Sequence, residues 1–311
     1  MTIAIIHTGG TIAMRTGPQG LMPSAGVLEA GLDSLARAGI GPAAGEIIAL
    51  EPLIDSANIR FQDWNRIAQI IVQGQDRYRG FVVTHGTDTL AFTAAALGFC
   101  LTGLSRPVIV TGAMLPFDAA GSDARGNLGE ALIAARHAPA GIWVQFAGKL
   151  MQAARVRKAH SHAFDAFCAV PPAAEDAPAR RAGPLAHLPY GAAEIAVLTM
   201  APNMSARAFA AALSVCDGAV LRVFGAGTLP DDPQISAALM AAHRRGALMI
   251  AVSQCDAGGM AMGTYAAGAV MAQAGVVDGG KITFEAAYAK LAHALAHGGK
   301  ATLRAALCGE I

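Results

Sequence analysis

Charge is scarce in this 311-residue chain, at 14% of residues, and it almost cancels: 23 basic against 22 acidic side chains leave a net charge of +1. Residues of both signs are spread along the whole length, so no electrostatic footprint for nucleic acid forms. Aromatic residues are few as well, at 5%, although hydrophobic residues reach 54%. The excess is largely Ala and Gly, and the apolar runs are short and interrupted, so nothing is expected to span a membrane. The apolar start, residues 1 to 6, has no basic segment before it and meets a glycine turn at Gly9. It reads as a buried strand and not as a signal peptide. The five cysteines (Cys100, Cys168, Cys216, Cys255, Cys308) are odd in number and far apart, with no two at metal-ligand spacing. They are expected as free thiols, mostly in the core, and the cytosol is the expected compartment. These exclusions leave a small molecule as the expected partner.

What is present is a rhythm. Apolar, β-rich runs recur at Ile3 to Ile6, Ile47 to Leu50, Phe81 to Val83, Val108 to Val110, Ile142 to Phe146, Ile195 to Leu198, Ala219 to Val223 and Leu248 to Val252. They are too apolar for half-exposed strands and suit a parallel sheet covered on both faces. Helical stretches lie between most of them, at Trp64 to Arg77, Leu90 to Leu101, Asn127 to His137, Ser205 to Val215 and Ile235 to Arg245. The expected class is therefore α/β, with a Rossmann-like or flavodoxin-like parallel sheet. Pro171, Pro172, Pro178, Pro184 and Pro189 break the rhythm in one segment without clear periodicity. The expected division is a larger N-terminal domain over 1–170, a linker over 171–192 and a smaller α/β domain over 193–311.

In open parallel sheets ligands bind beyond the carboxyl ends of the strands. Two loops at such ends stand out. The first strand runs into His7-Thr8-Gly9-Gly10-Thr11-Ile12-Ala13, where paired glycines allow close backbone approach and leave the Thr11 hydroxyl facing whatever binds. The loop lacks the GxGxxG spacing and the Walker lysine of nucleotide sites. The strand ending near Val83 runs into Thr84-His85-Gly86-Thr87-Asp88-Thr89 and then an apolar helix. Capping that helix explains Asp88 or Thr89 taken singly. Three threonines and an aspartate on two loops at one edge exceed what capping needs, and point to nucleophile chemistry. A threonine needs a base; Lys158, beyond the strand at Ile142 to Phe146, is the candidate.

TGGTIA at 8–13 and HGTDT at 85–89 resemble the two signature motifs of bacterial-type L-asparaginases. Collinear support comes from Pro52-Leu53-Ile54-Asp55-Ser56, Pro107 to Gly112, Ser122-Asp123 with Asn127-Leu128, Lys158-Ala159-His160 with Phe164 to Phe167, and Leu221-Arg222 through Gly227. The resemblance covers essentially the whole chain and points to the cytosolic type I branch. It implies a larger domain carrying the catalytic residues, and homodimers or homotetramers whose sites are completed across the subunit interface. No metal and no organic cofactor is implied. By similarity Thr11 would attack the side-chain amide of asparagine, with Thr87, Asp88 and Lys158 handling protons. Ser56 and Asp88 would hold the substrate's α-carboxylate and α-amino groups, with Asp55 shaping their loop. Gly10, Gly86 and Ala113 complete the implied substrate-binding set, and backbone amides in the Thr87 loop and near Ala113 are the natural oxyanion donors. The lysine is expected to be buried, since lost solvation makes it a usable base.

The pattern departs from the family in places. A tyrosine is usual about ten residues after the nucleophile, on a loop that closes over the site; here that stretch reads Gly20-Leu21-Met22-Pro23. Thr228 stands where asparagine is usual, and Ala113-Met114-Leu115 is more apolar than common. The resulting expectation is a working but slow or specificity-shifted amidohydrolase. Arg222 and Cys255 fall at places matching an effector site of type I enzymes, whereas Arg157 replaces a small hydroxyl residue. Two rival readings remain. The asparaginase-like subunit of an archaeal-type tRNA-dependent amidotransferase is disfavoured by the charge balance and by a first strand that begins at once. A degenerate amino-acid sensor is favoured by Leu21 and disfavoured by Lys158.

Overall fold

The computed structural model describes residues 1–17, 20–40, 45–170, 180–263 and 266–310. The chain opens with β1 (Ile3–Gly9), a hairpin of β2 (Met14–Gly17) and β3 (Gly20–Pro23), helix α1 (Val27–Arg37) and β4 (Gly45–Ile54). Next come α2 (Phe61–Gly74), β5 (Gly80–Thr84), α3 (Leu90–Cys100), the short β6 (Leu101–Thr102) and β7 (Pro107–Thr111). Helix α4 (Ala124–His137), β8 (Gly141–Phe146), β9 (Lys149–Gln152), β10 (Val156–Lys158), β11 (Phe167–Ala169) and β12 (Ala186–His187) follow. The rest alternates: β13 (Ile195–Thr199), α5 (Ala206–Val215), β14 (Gly218–Val223), α6 (Pro233–Arg245), β15 (Leu248–Ser253), α7 (Ala266–Gln273) and β16 (Val277–Asp278). Two helices, α8 (Phe284–Ala296) and α9 (Gly299–Arg304), close it.

The first sheet has the order β4-β1-β5-β7-β8-β9, parallel except for β9, which returns antiparallel along β8. Its first five strands stand in the flavodoxin-like order second-first-third-fourth-fifth. The second sheet, β13-β14-β15-β16, is wholly parallel. The α/β expectation therefore holds, including all eight expected strands, and no helix among the described residues is long and apolar enough to cross a membrane.

Not every strand is covered on both faces. β4 and β13 are edge strands and remain partly exposed, Val197 among them, because only one neighbour shields each. The apolar-run criterion detects a strand but not its place in the sheet.

Helix α3 shows how the two halves meet. It is apolar all round and almost completely buried, packed on β7 and β8 on one side and on α8 on the other. Leu90, Leu97 and Phe99 are fully buried there, each side chain contributing about 1.5–3 kcal/mol by removal from water. Residues 171–179 of the expected linker lie outside the described residues. The part from Arg180 onward is strapped to the larger sheet's flank: Arg181 Nη1 donates to the Phe99 carbonyl, Thr102 Oγ1 donates to the Pro184 carbonyl, and β12 pairs with β6.

Candidate active site

β4 and β5 flank β1, so the connections that leave and re-enter the sheet part on either side of the β1/β5 pair, which makes the carboxyl ends of these two strands the expected ligand crevice. The two loops singled out in the sequence both emerge there. Gly9 and Gly10 have φ of 122° and 86°, a region that side chains disfavour. A Cβ on Gly9 would run into the Ile54 carbonyl, and one on Gly10 into the backbone of Gly86. Thr11, half-buried, then opens a short 3-10 turn, Thr11–Ala13. The turn is fastened by Ala13 N–H to the Gly10 carbonyl (3.1 Å) and by Phe117 N–H to the Ile12 carbonyl (3.4 Å).

The second loop is held just as closely. Thr8 Oγ1 donates to the Thr84 carbonyl (2.8 Å), and His85 N–H donates to the Thr111 carbonyl (2.8 Å). Thr87 is buried, whereas Asp88 opens to solvent. Lys158 reaches both: its Nζ donates to Thr87 Oγ1 at 2.9 Å and to Asp88 Oδ1 at 2.7 Å. Because the ammonium is the donor, the Thr87 hydroxyl keeps its own proton for another acceptor. Lys158 is not sealed off as the resemblance implied. Its side chain is 19% exposed and its carboxylate partner 72% exposed, because the Asp88 end of the loop faces outward. The β10–β11 hairpin pairs Lys158 with Phe167. Just upstream, Arg155 Nε donates to the Gly309 carbonyl.

Ser56 is buried beside Gly86, and its carbonyl accepts from Thr89 Oγ1 at 2.7 Å. Asp55 Oδ1 accepts from Ala57 N–H within its own turn (3.2 Å), and the residue is exposed. Ala113 is buried beside Gly112, where a Cβ would strike the His85 carbonyl. The segment after it is clamped by residues quoted in the sequence only for their resemblance. The Asp123 carboxylate accepts from Met114 N–H and Leu115 N–H at 2.9–3.1 Å, while Asn127 Nδ2 donates to the Gly112 carbonyl and to Asp123 Oδ2, both at 3.0 Å. Direct contacts thus link the Thr11 turn, through Gly10, to Gly86 and Ser56, and link Thr87 and Asp88 to Lys158, with Ala113 following the Gly112–His85 contact.

Leu21 lies 46% exposed on the β2–β3 hairpin, paired across from Thr16. That hairpin is tied to the loop beyond Ala113 by the Arg15–Asp118 ion pair at 3.3 Å. Three tyrosines are engaged elsewhere. Tyr78 packs edge-on against Phe81, Tyr190 donates its hydroxyl to the Ala96 carbonyl, and Tyr288 packs on Phe61 and Phe92; Tyr265 lies outside the described residues. Arg157, Arg222 and Cys255 line a separate cavity of about 460 Å³ with Asp256 and Glu285. Arg157 is paired there with Asp256. Burial raises the Glu285 carboxyl above its usual range, an effect opposed by Arg157 and Arg222. Cys100, Cys216 and Cys308 are buried, but Cys255 is exposed and not a core thiol.

Known proteins are similar to this chain in sequence and fold. The family model described as Asparaginase, N-terminal, matches residues 2–177, and the Glutaminase/Asparaginase C-terminal domain matches residues 194–306. L-asparaginase 1 of Escherichia coli (strain K12) is 36% identical over 310 residues, spanning 94% of this chain and 91% of its own. Among solved structures, L-asparaginase I from Vibrio cholerae superposes with a TM-score of 0.88 at 34% identity, covering 100% of this chain and 98% of its own. The thermostable L-asparaginase from Thermococcus kodakarensis gives the same TM-score at 31% identity, covering 100% and 99%. The chain belongs to the asparaginase family, on its type I branch.

Proposed function

We propose that this protein hydrolyses L-asparagine to L-aspartate and ammonia through an ester on Thr11. The observation that carries this reading is the Lys158 ammonium bonded at once to Thr87 Oγ1 and Asp88 Oδ1 beside the Thr11 turn. Thr11 Oγ attacks the side-chain amide carbon while its proton passes to the Thr87, Lys158 and Asp88 group. Charge developing on the carbonyl oxygen is held by the backbone amides of Thr87 and Ala113, a contribution of about 3–4 kcal/mol per well-placed donor. The C–N bond breaks as the nitrogen takes up a proton and leaves as ammonia. Water then adds to the ester carbon, and the C–O bond to Thr11 breaks, restoring its hydroxyl and releasing aspartate. The Ser56 hydroxyl and the exposed Asp88 carboxylate bind the α-carboxylate and α-ammonium of the substrate, with Gly10 and Gly86 lining the pocket and Asp55 shaping the Ser56 turn.

Leu21 cannot carry a proton, so turnover is slow or shifted in specificity relative to enzymes with a tyrosine on that hairpin. The protein works as a homodimer or homotetramer in the cytoplasm, on a small amide substrate, with a catalytic domain over 1–170, a linker over 171–192 and a second domain over 193–311. The test is ammonia release from asparagine, glutamine and related amides by wild type and Thr11→Ala. Release by wild type that Thr11→Ala abolishes is expected. A wild type that releases none, or a Thr11→Ala variant that works as well, sinks the proposal.

A further inference from the structure

His85 makes no contact required by the mechanism above, yet its ring is fully buried directly behind the Thr87 loop. Its Nδ1 lies 2.8 Å from the Gly86 carbonyl and its Nε2 lies 2.9 Å from Thr93 Oγ1. Thr93 Oγ1 in turn lies 2.9 Å from the indole Nε1 of Trp64. Chemistry fixes the direction of every bond in this row. A carbonyl oxygen only accepts, so His85 Nδ1 carries the hydrogen, and an indole N–H only donates, so Thr93 Oγ1 accepts from Trp64. Burial holds the imidazole neutral, its pKa lowered to about 4. Nε2 is therefore a bare lone pair, and the Thr93 hydroxyl donates to it. Three hydrogen bonds run one way, from Trp64 through Thr93 and His85 to the Gly86 carbonyl.

That carbonyl is one end of a peptide plane whose other end is the Thr87 N–H. Gly86 has no Cβ, and one would strike Ser56 Oγ, so the position must be glycine and its peptide is intrinsically free to rotate. His85 itself cannot shift readily, since its own N–H is bound to Thr111 and its backbone lies against Gly10 and Gly112. We propose that Trp64 and Thr93 lock His85 in its Nδ1–H tautomer, and that His85 thereby fixes the Gly86–Thr87 peptide so that the Thr87 amide points at the developing oxyanion. His85, Thr93 and Trp64 are positioning residues on this account, none touching substrate. The inference rests on the reading of Thr87 as an oxyanion donor.

The test compares wild type with Thr93→Val, which keeps the shape and loses the hydroxyl, and with Thr93→Ser, which keeps the hydroxyl. Long-range 1H–15N spectra of protein labelled at histidine report the His85 tautomer directly. A single Nδ1–H tautomer is expected in wild type and Thr93→Ser, and its loss in Thr93→Val. In the ammonia assay Thr93→Val should lose about tenfold or more in kcat with KM little changed, since a misaimed donor weakens transition-state binding selectively. Thr93→Ser should recover most of that kcat. An Nε2–H tautomer in wild type, or a Thr93→Val variant with unchanged tautomer or wild-type kcat, overturns the lock. A wild type that releases no ammonia would refute the proposed activity, while the spectra would still judge the lock by themselves.

Discussion

Gly10 lies with its backbone against that of Gly86, so closely that a methyl group on Gly10 has no space, and its φ of 86° suits glycine alone. This contact joins the loop that carries Thr11 to the loop that carries Thr87 and explains the glycine at position 10; at position 86 a Cβ would strike Ser56 instead. Gly10→Ala must push the loops apart. An expected loss of at least about 100-fold in kcat follows, because displacements near 1 Å at a reacting centre cost that much. Left-handed strain adds about 1–2 kcal/mol of destabilisation, readable as a lowered thermal midpoint. Full activity in Gly10→Ala would mean that the contact is dispensable.

Lys158 holds Thr87 and Asp88 together, so removing its ammonium should hurt chemistry more than stability. Lys158→Met leaves a carboxylate that is already largely solvated, and an ion pair this exposed is worth only about 0–1 kcal/mol. The thermal midpoint should hardly move, while kcat for ammonia release should fall by about 100-fold or more, the scale of a lost general acid–base group. Steady-state kinetics beside a thermal melt separates the two. A variant that is unstable yet fully active per folded molecule would assign Lys158 a structural role only.

Much of this site was legible in the sequence because its signals are local. Paired glycines before Thr11, and a hydroxyl-rich loop between an apolar strand and an apolar helix, mark strand ends in any parallel sheet. What escaped depends on contacts far apart in the chain. His85 Nδ1 bonding to Gly86 is local, but His85 Nε2 meets Thr93, and Thr93 meets Trp64, a row that nothing in their spacing reveals. Asp123 enters the sequence reading only through the resemblance, and its service to Met114 and Leu115 appears only when the loop folds back. Helices α1, α7, α8 and α9 are not among those the sequence pattern marks: the Ala-rich α8 gives little polar contrast because it packs against α3, whose other side rests on the sheet. The partial exposure of Lys158 has a related origin, since the outward-facing Asp88 it pairs with is placed by tertiary packing.

Leu21 sits exposed on the β2–β3 hairpin, with Arg15 tying that hairpin to Asp118. An exposed residue can be changed with little structural cost, so Leu21→Tyr should leave the unfolding free energy within about 0.5 kcal/mol of wild type. Restoring a phenol on this hairpin is expected to raise kcat on asparagine. An unchanged kcat would mean that another group already supplies the proton relay.

Lys290 and Glu310 form a fully buried ion pair at 2.7 Å, with Glu310 also accepting from Leu307 N–H and Cys308 N–H. Burial alone would raise the Glu310 carboxyl, but Lys290 and these hydrogen bonds outweigh it and hold the carboxyl below its usual range. Breaking such a pair from one side costs about 3–5 kcal/mol, because a charge is left stranded. Lys290→Met should therefore destabilise strongly, and adding Glu310→Gln should recover part of the loss. Chemical unfolding of the two variants checks this; a double variant no better than Lys290→Met would contradict it.

Two buried histidines should make the protein sensitive to acid. Burial lowers His85 to about 4, slightly opposed by its bond to Gly86. Burial, with Arg181 and His297, lowers His293 to about 3. The unfolded chain takes up these protons near 6.5, so stability is intact above that value. It drains away as the pH falls toward the folded values. For His85 the gap between 6.5 and about 4 corresponds to about 3 kcal/mol, reached only once both states are protonated. Unfolding free energy measured from pH 7 down to 4 should fall throughout. In His85→Gln the curve should start lower, because the buried bonds are lost, but fall less steeply between pH 6.5 and 4. Parallel curves for wild type and variant would show that His85 is not the group that takes up the proton on unfolding.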